Sequence, residues 1–184
     1  MKISKYNRAY ACCAMVASVG LMLCATGEGW AQDKFKYSFK APPGVSKYTQ
    51  QHVIDVGDVP GHQIRIYELH SKFAEDAPAY DGVKVVEAWG RQFSDYTNGN
   101  GNSWGYSTSM LANGDKIFAR IELISQTSVA QDGARTTKFT SVSRLTGGTG
   151  KFKGIRGTLT GTGFTDLKSG TSGAVTEGEY WFEK

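Results

Sequence analysis

Residues 104–127 read Trp-Gly-Tyr-Ser-Thr-Ser-Met-Leu-Ala-Asn-Gly-Asp-Lys-Ile-Phe-Ala-Arg-Ile-Glu-Leu-Ile-Ser-Gln-Thr. Two strand-like segments, 104–111 and 116–127, flank Asn113-Gly114-Asp115. Asn-Gly accepts the positive φ angles that a tight hairpin requires. Over 116–124, Ile117, Ala119, Ile121 and Leu123 alternate with Phe118, Arg120, Glu122 and Ile124. That repeat of two is the mark of a strand, and a helical period of 3.6 is missing. Asp132-Gly133 then marks a second hairpin, and 134–145 returns beside 116–127. The fold class is antiparallel β.

Working outward, the same reading predicts strands at 35–40, 52–56, 63–73, 83–93, 157–164 and 174–183. Turn-forming residues separate them, around Pro42-Pro43-Gly44, Gly57-Asp58-Val59-Pro60-Gly61 and Glu75-Asp76-Ala77-Pro78. Thr97-Asn98-Gly99-Asn100-Gly101-Asn102 reads as a low-complexity loop. Eight or nine strands with mostly hairpin-length links favour an up-and-down barrel over a Greek-key sandwich. The expectation is an all-β, eight-stranded antiparallel up-and-down barrel of calycin-like form. Its interior would be filled by side chains or hold one small ligand.

Residues 1–31 read as a signal peptide, and 32–184 as a single β-barrel domain. Lys2, Lys5 and Arg8 precede an apolar run from Ala9 to Ala25, and Gly29-Trp30-Ala31 supplies a small-x-small site. The protein is expected to be exported, to the periplasm or beyond, with no membrane partner after cleavage. An uncleaved anchor and a lipid on Cys24 are the alternatives. Removing 31 of 184 residues leaves 153, enough for one core. Lys plus Arg then falls from 21 to 18 and Asp plus Glu from 17 to 16, leaving a net charge of +2. Such a balance with no basic run gives no support to a nucleic-acid partner. Cys12, Cys13 and Cys24 all lie in the leader, so 32–184 has no disulfide, thiolate ligand or thiol nucleophile.

Glycine crowds residues 147–163 as Gly147, Gly148, Gly150, Gly154, Gly157, Gly161 and Gly163. Inside strands, glycine marks bulges, corners or close backbone approach. Gly147-Gly148-Thr149-Gly150-Lys151 lacks the rest of a phosphate loop and the helix that should follow it. The stretch Leu145 to Thr158, continuing to Gly163, resembles the GGTGxFxGxxGxxxxxG signature of the allene oxide cyclase and dirigent-like barrels. Ala112 to Arg120 is similar to their GDxxFxR hairpin. The resemblance covers roughly residues 60–184. It implies an eight-stranded barrel, often oligomeric, with a mostly apolar lumen. Relatives of that kind cyclise small hydrophobic molecules, or steer their coupling, without a cofactor. Physically, the glycines turn and bend the chain while Phe152 plugs a barrel end, so the signature identifies a scaffold, and function lies elsewhere.

Candidate catalytic residues are Glu122, Arg120, Glu87, Arg91 and His70, and candidate ligand contacts are Tyr67, Trp89, Tyr106, Phe118 and Arg144. Glu87 and Arg91 flank Trp89 on one strand face. Phe118, Arg120 and Glu122 mix ring, cation and carboxylate, as a ligand-lined wall does. Arg144 on the following strand comes near Glu122 if the Asp132-Gly133 hairpin sets that register. A solvated sheet face with ordinary ion pairs is the plainer account of these charges. His70 shares a face with Glu68, where a neutral-range pKa beside a carboxylate suits proton transfer. Trp104, Tyr106, Trp181 and Phe182 are further rings for a flat ligand or the core.

His52, His62 and His70 are spaced by ten and eight residues, which is no metal-ligand pattern, so neither metal nor cofactor is expected. Nucleophile elbows and dinucleotide fingerprints are missing too. The expected partner is a small hydrophobic or aromatic molecule. A cofactor-free cyclisation, isomerisation or lyase step on it is one expectation. A non-catalytic carrier, or a dirigent-like coupling-steering or interaction protein, is the alternative. Homo-oligomers are expected if the apolar strip from Ile117 to Leu123 faces outward, and monomers if it faces inward.

Overall fold

The computed structural model describes residues 33–166 and 172–183, so residues 1–31, the expected leader, and their three cysteines lie outside the described residues. Ten strands form: β1 (Phe35–Ala41), β2 (Ser46–Asp55), β3 (His62–Lys72), β4 (Ala79–Tyr80), β5 (Val83–Thr97), β6 (Asn100–Leu111), β7 (Lys116–Val129), β8 (Arg135–Gly148), β9 (Ile155–Asp166) and β10 (Ser172–Phe182). One short 3-10 turn, Gly150–Phe152, stands between β8 and β9. All pairings are antiparallel.

Local departures from expectation have local causes. The low-complexity loop contracts to a two-residue turn, because Asn98 (φ 53°) and Gly99 (φ 84°) both take left-handed conformations. β6 therefore starts at Asn100. At Asn113-Gly114 only the glycine has positive φ, and residues 112–115 form a longer connection. β2 starts at Ser46, six residues before the apolar alternation becomes visible, since an exposed edge strand needs no buried face. Two residues, Ala79–Tyr80, make a short strand on β5 that carries no periodicity to read.

The sheet runs β1-β10-β9-β8-β7-β6-β5-β3-β2, with β4 beside β5. The expected closed barrel of eight strands is corrected here in both count and closure. Nine strands paired antiparallel in a row leave the first and last pointing the same way. A parallel β1–β2 pair would need a crossover of roughly a dozen residues, and only residues 42–45 join them. β1 and β2 instead follow one another along a seam broken by Pro42-Pro43, β1 paired to β10 and β2 to β3. That link spans at most ~18 Å, whereas nine flat strands would span roughly 38 Å. The sheet must therefore curl.

One face of the curl is concave, and the buried side chains share it. Leu145, Ala119, Leu159 and Tyr180 lie there, with the half-buried Ser107 and the small or fully buried Gly157, Ser94 and Ser103. At one end this face is packed solid by Val85, Leu111, Ile117, Phe152, Ile155, Leu159 and Tyr180. Phe152 is fully buried, as a plug should be. The two glycine-signature segments meet there: Asp115 accepts from the Lys151 amide at 3.1 Å, and the Thr149 hydroxyl accepts from the Lys116 amide at 2.9 Å. Gly163 is required by space, because a Cβ there would overlap the Phe139 ring.

Candidate functional site

The other end of the concave face is open, with a cavity of about 410 Å³. Its walls come from Ala41 and Pro42, from Tyr48, Tyr67 and Leu69, from Gln92 and Tyr96, and from Leu123, Phe139 and Phe164. Strands from both ends of the sheet order thus line one space, which is independent support for the curl. Tyr67 is 8% exposed, and its hydroxyl donates to Gln92 Oε1 at 2.9 Å. Burial pushes the Tyr67 phenol up to about 12 and raises Tyr96 as well. These phenols are neutral donors at physiological pH. The cavity lining contains no carboxylate and no imidazole.

Nine of the ten candidates from sequence lie on the opposite, convex face, and Tyr67 alone faces the cavity. Register explains the division. Glu122 pairs across from Trp104, Arg120 from Tyr106 and Phe118 from Thr108, while the odd-numbered partners Ile117, Ala119, Ile121 and Leu123 point inward. The apolar strip therefore needs no second subunit to cover it. On the convex face Glu122 bridges Arg120 at 3.4 Å and Arg144 at 3.3 Å, with all three side chains about half exposed. The expected Glu122–Arg144 proximity holds.

Glu87 and Arg91 do not pair with each other. Each reaches β3 instead: Glu87 Oε2 lies 2.8 Å from His70 Nε2, and Arg91 Nη2 lies 2.8 Å from Glu68 Oε2. The His70 ring stacks on Trp89 at 4.9 Å. The Thr49 hydroxyl, with Arg91 behind it, holds the Glu68 carboxyl below its ordinary range. A second, larger hollow of about 570 Å³ runs over this face past His52, Ile66, Glu68, Arg91, Trp104 and Tyr106. Tyr106 and Ile66 are both more than half exposed beside it. No group of three metal-ligating side chains is present among the described residues.

Sequence reasoning missed the polar residues of the concave face: Arg65, Gln92, Ser94, Tyr96 and Ser103. Their signal is period two from Tyr67, which places Arg65 and Leu69 on the same side of β3. A bulge between Val85 and Glu87 hides the equivalent signal on β5 by switching the parity of that strand midway.

No family model matches the chain, and no curated protein gives a significant match. Among solved structures it is similar to pyocyanin demethylase, at 19% identity over 78% of this chain and 98% of that one, with a TM-score of 0.35. It is also similar to a pterocarpan synthase dirigent protein, at 12% identity over 83% of this chain and 84% of that one, with a TM-score of 0.40. Likeness at this level transfers neither activity nor residue roles.

Proposed function

We propose that the protein binds a small hydrophobic or aromatic molecule in the concave cavity, as a carrier or a coupling-steering protein. The observation that carries this is the cavity itself: about 410 Å³, walled by aromatic and aliphatic side chains, with Ser46, Gln92, Ser125, Thr137 and Thr165 as polar groups distributed around it. That is within the size and chemistry of small-molecule sites. What such a space supplies to a reaction is restriction of a bound molecule to one conformer. A cyclisation, isomerisation or lyase step driven by a carboxylate or an imidazole finds no such group in the lining. Glu122, Arg120, Glu87, Arg91 and His70 belong to the far side of the sheet. A second reading seats the ligand in the convex hollow, favoured by its larger volume and by Arg91 and Tyr106 at its rim.

Thermal shift with phenylpropanoid-like and fatty-acid-derived compounds tests both readings. Stabilisation by one class should disappear in Leu123→Trp, which fills the cavity, and persist in Tyr106→Ala, which strips the convex rim. The reverse pattern would move the site to the convex face. No stabilisation by either class would remove the binding function.

We also infer export, supported by the basic start, the apolar run and the small-x-small site of residues 1–31. Mass spectrometry of the native protein should find an N-terminus at or near Gln32. An intact Met1 chain from the cytoplasm would overturn it.

A further inference from the structure

Two polar side-chain atoms on the concave face are buried without any protein group in hydrogen-bond reach, Arg65 Nε and Ser94 Oγ. They are not scattered. Arg65 on β3 and Ser94 on β5 are direct cross-strand partners, so the two orphans sit side by side on one rung. Ser94 is fully buried. The charge on Arg65 is equally unmatched: none of the ion pairs among the described residues includes it, and its one hydrogen bond runs from Nη2 to Gln63 Oε1 at 2.7 Å. A half-buried guanidinium beside an idle hydroxyl is costly in a fold that otherwise pairs its buried groups.

Both orphans can donate, so an acceptor oxygen brought to this rung would meet two unpaired donors. The rung adjoins the cavity, since Tyr67 follows Arg65 by two residues on the same face, and Tyr67, Gln92 and Tyr96 belong to the cavity wall. A nearby cation and neutral phenols favour an oxygen that carries negative charge, because charge-assisted hydrogen bonds are the stronger kind. The Asp55 carboxylate reaches Arg65 only through the Gln63 side-chain amide, which donates to Asp55 Oδ1 at 2.9 Å and accepts from Arg65 Nη2, and it makes no ion pair with the guanidinium. We propose that the cavity takes its ligand with an anionic oxygen, a carboxylate or phenolate, turned toward Arg65 and Ser94. This rests on the concave-cavity reading above and adds the chemical class of the ligand.

Calorimetric titration with two probes of one shape tests it: cinnamate, which is anionic, and cinnamyl alcohol, which is neutral. The protein should bind cinnamate roughly tenfold or more tightly than the alcohol. Arg65→Met should abolish that preference while leaving the alcohol's affinity unchanged. Ser94→Ala deletes a hydroxyl that holds nothing in the free protein, so it should melt as the parent does and still weaken cinnamate selectively. Lys40→Met removes an equal charge from the exposed side of β1 and should leave the preference intact. Equal affinities for the two probes, or a preference that survives both Arg65→Met and Ser94→Ala, would overturn the anionic-oxygen proposal and leave the cavity standing. Binding of neither probe would overturn both.

Discussion

Cutting back one phenylalanine at each end of the concave face should cost very different amounts. Phe152 is wholly excluded from solvent within the packed end, near Ile155 and with the Phe182 ring 6.3 Å away. Phe152→Ala opens a void inside this packed hydrophobic cluster, and such truncations lose about 3–5 kcal/mol. At roughly 2–4 °C per kcal/mol for a domain of this size, the melting temperature should fall by about 10–15 °C. Phe139 is half-buried and already borders the open cavity. Its ring contributes only part of the roughly 1.5–3 kcal/mol of a fully buried apolar side chain, and its loss enlarges a space that solvent can enter. Phe139→Ala should therefore cost about 1–1.5 kcal/mol and lower the midpoint by roughly 3–5 °C. Reversible melts followed by circular dichroism at one pH and protein concentration measure both. Ligand titration should then invert the order, with Phe139→Ala changing affinity and Phe152→Ala sparing it wherever the variant is folded. Equal destabilisation by the two variants, or a larger loss at Phe139, would refute a sheet packed at one end and open at the other.

A pH response should come from His62, whose Nδ1 lies 2.6 Å from Asp58 and whose Nε2 lies 2.8 Å from Asp95. Asp95 first and Asp58 next raise its pKa above 6.5, so its stabilisation is complete below that value and is lost as pH rises through the folded pKa. The parent should out-melt His62→Asn at pH 5.5 and lose that margin by pH 8.5; a constant margin would show that the carboxylates do not hold the proton. For Glu122→Gln, the half-exposed pairs to Arg120 and Arg144 are worth at most about 1 kcal/mol, so the midpoint should shift by no more than roughly 4 °C. Ligand affinity should not move at all, and a ~10²-fold loss of turnover on an identified substrate would return Glu122 to a proton-transfer role.

Strand class and pairing were legible because they depend on local pattern and turn chemistry. The β7–β8 hairpin aligns Glu122 with Val142 and Arg120 with Arg144, close to what Asp132-Gly133 implies. Closure was not legible, because it depends on the parity of the strand count and on where an edge strand without apolar alternation begins. Ser46 to Gln51 supplies that strand and offers no buried face to detect.

Which face lines the cavity was not legible either, for a more instructive reason. Trp104 and Tyr106 stand out on β6, yet the curl turns them outward and brings Ser103, Gly105 and Ser107 inside. Side chains on the concave side of a curled sheet converge, so that side needs small residues where strands crowd together. The convex side spreads its side chains apart and leaves room for large rings. Gly105 shows the limit, since a Cβ there would press on the Arg91 carbonyl. In a tightly curled sheet the inner wall is therefore marked by serine and glycine at period two, interrupted by the few large side chains that define the cavity. By that criterion the informative residues are the sizeable polar ones among the small: Gln92 near Gly90, and Arg65 facing Ser94. A charged side chain set between Val53 and Ser94 on an inner wall has no packing role that a smaller neutral residue would not fill as well. Its unpaired Nε there is the reason to look for an oxygen that it holds.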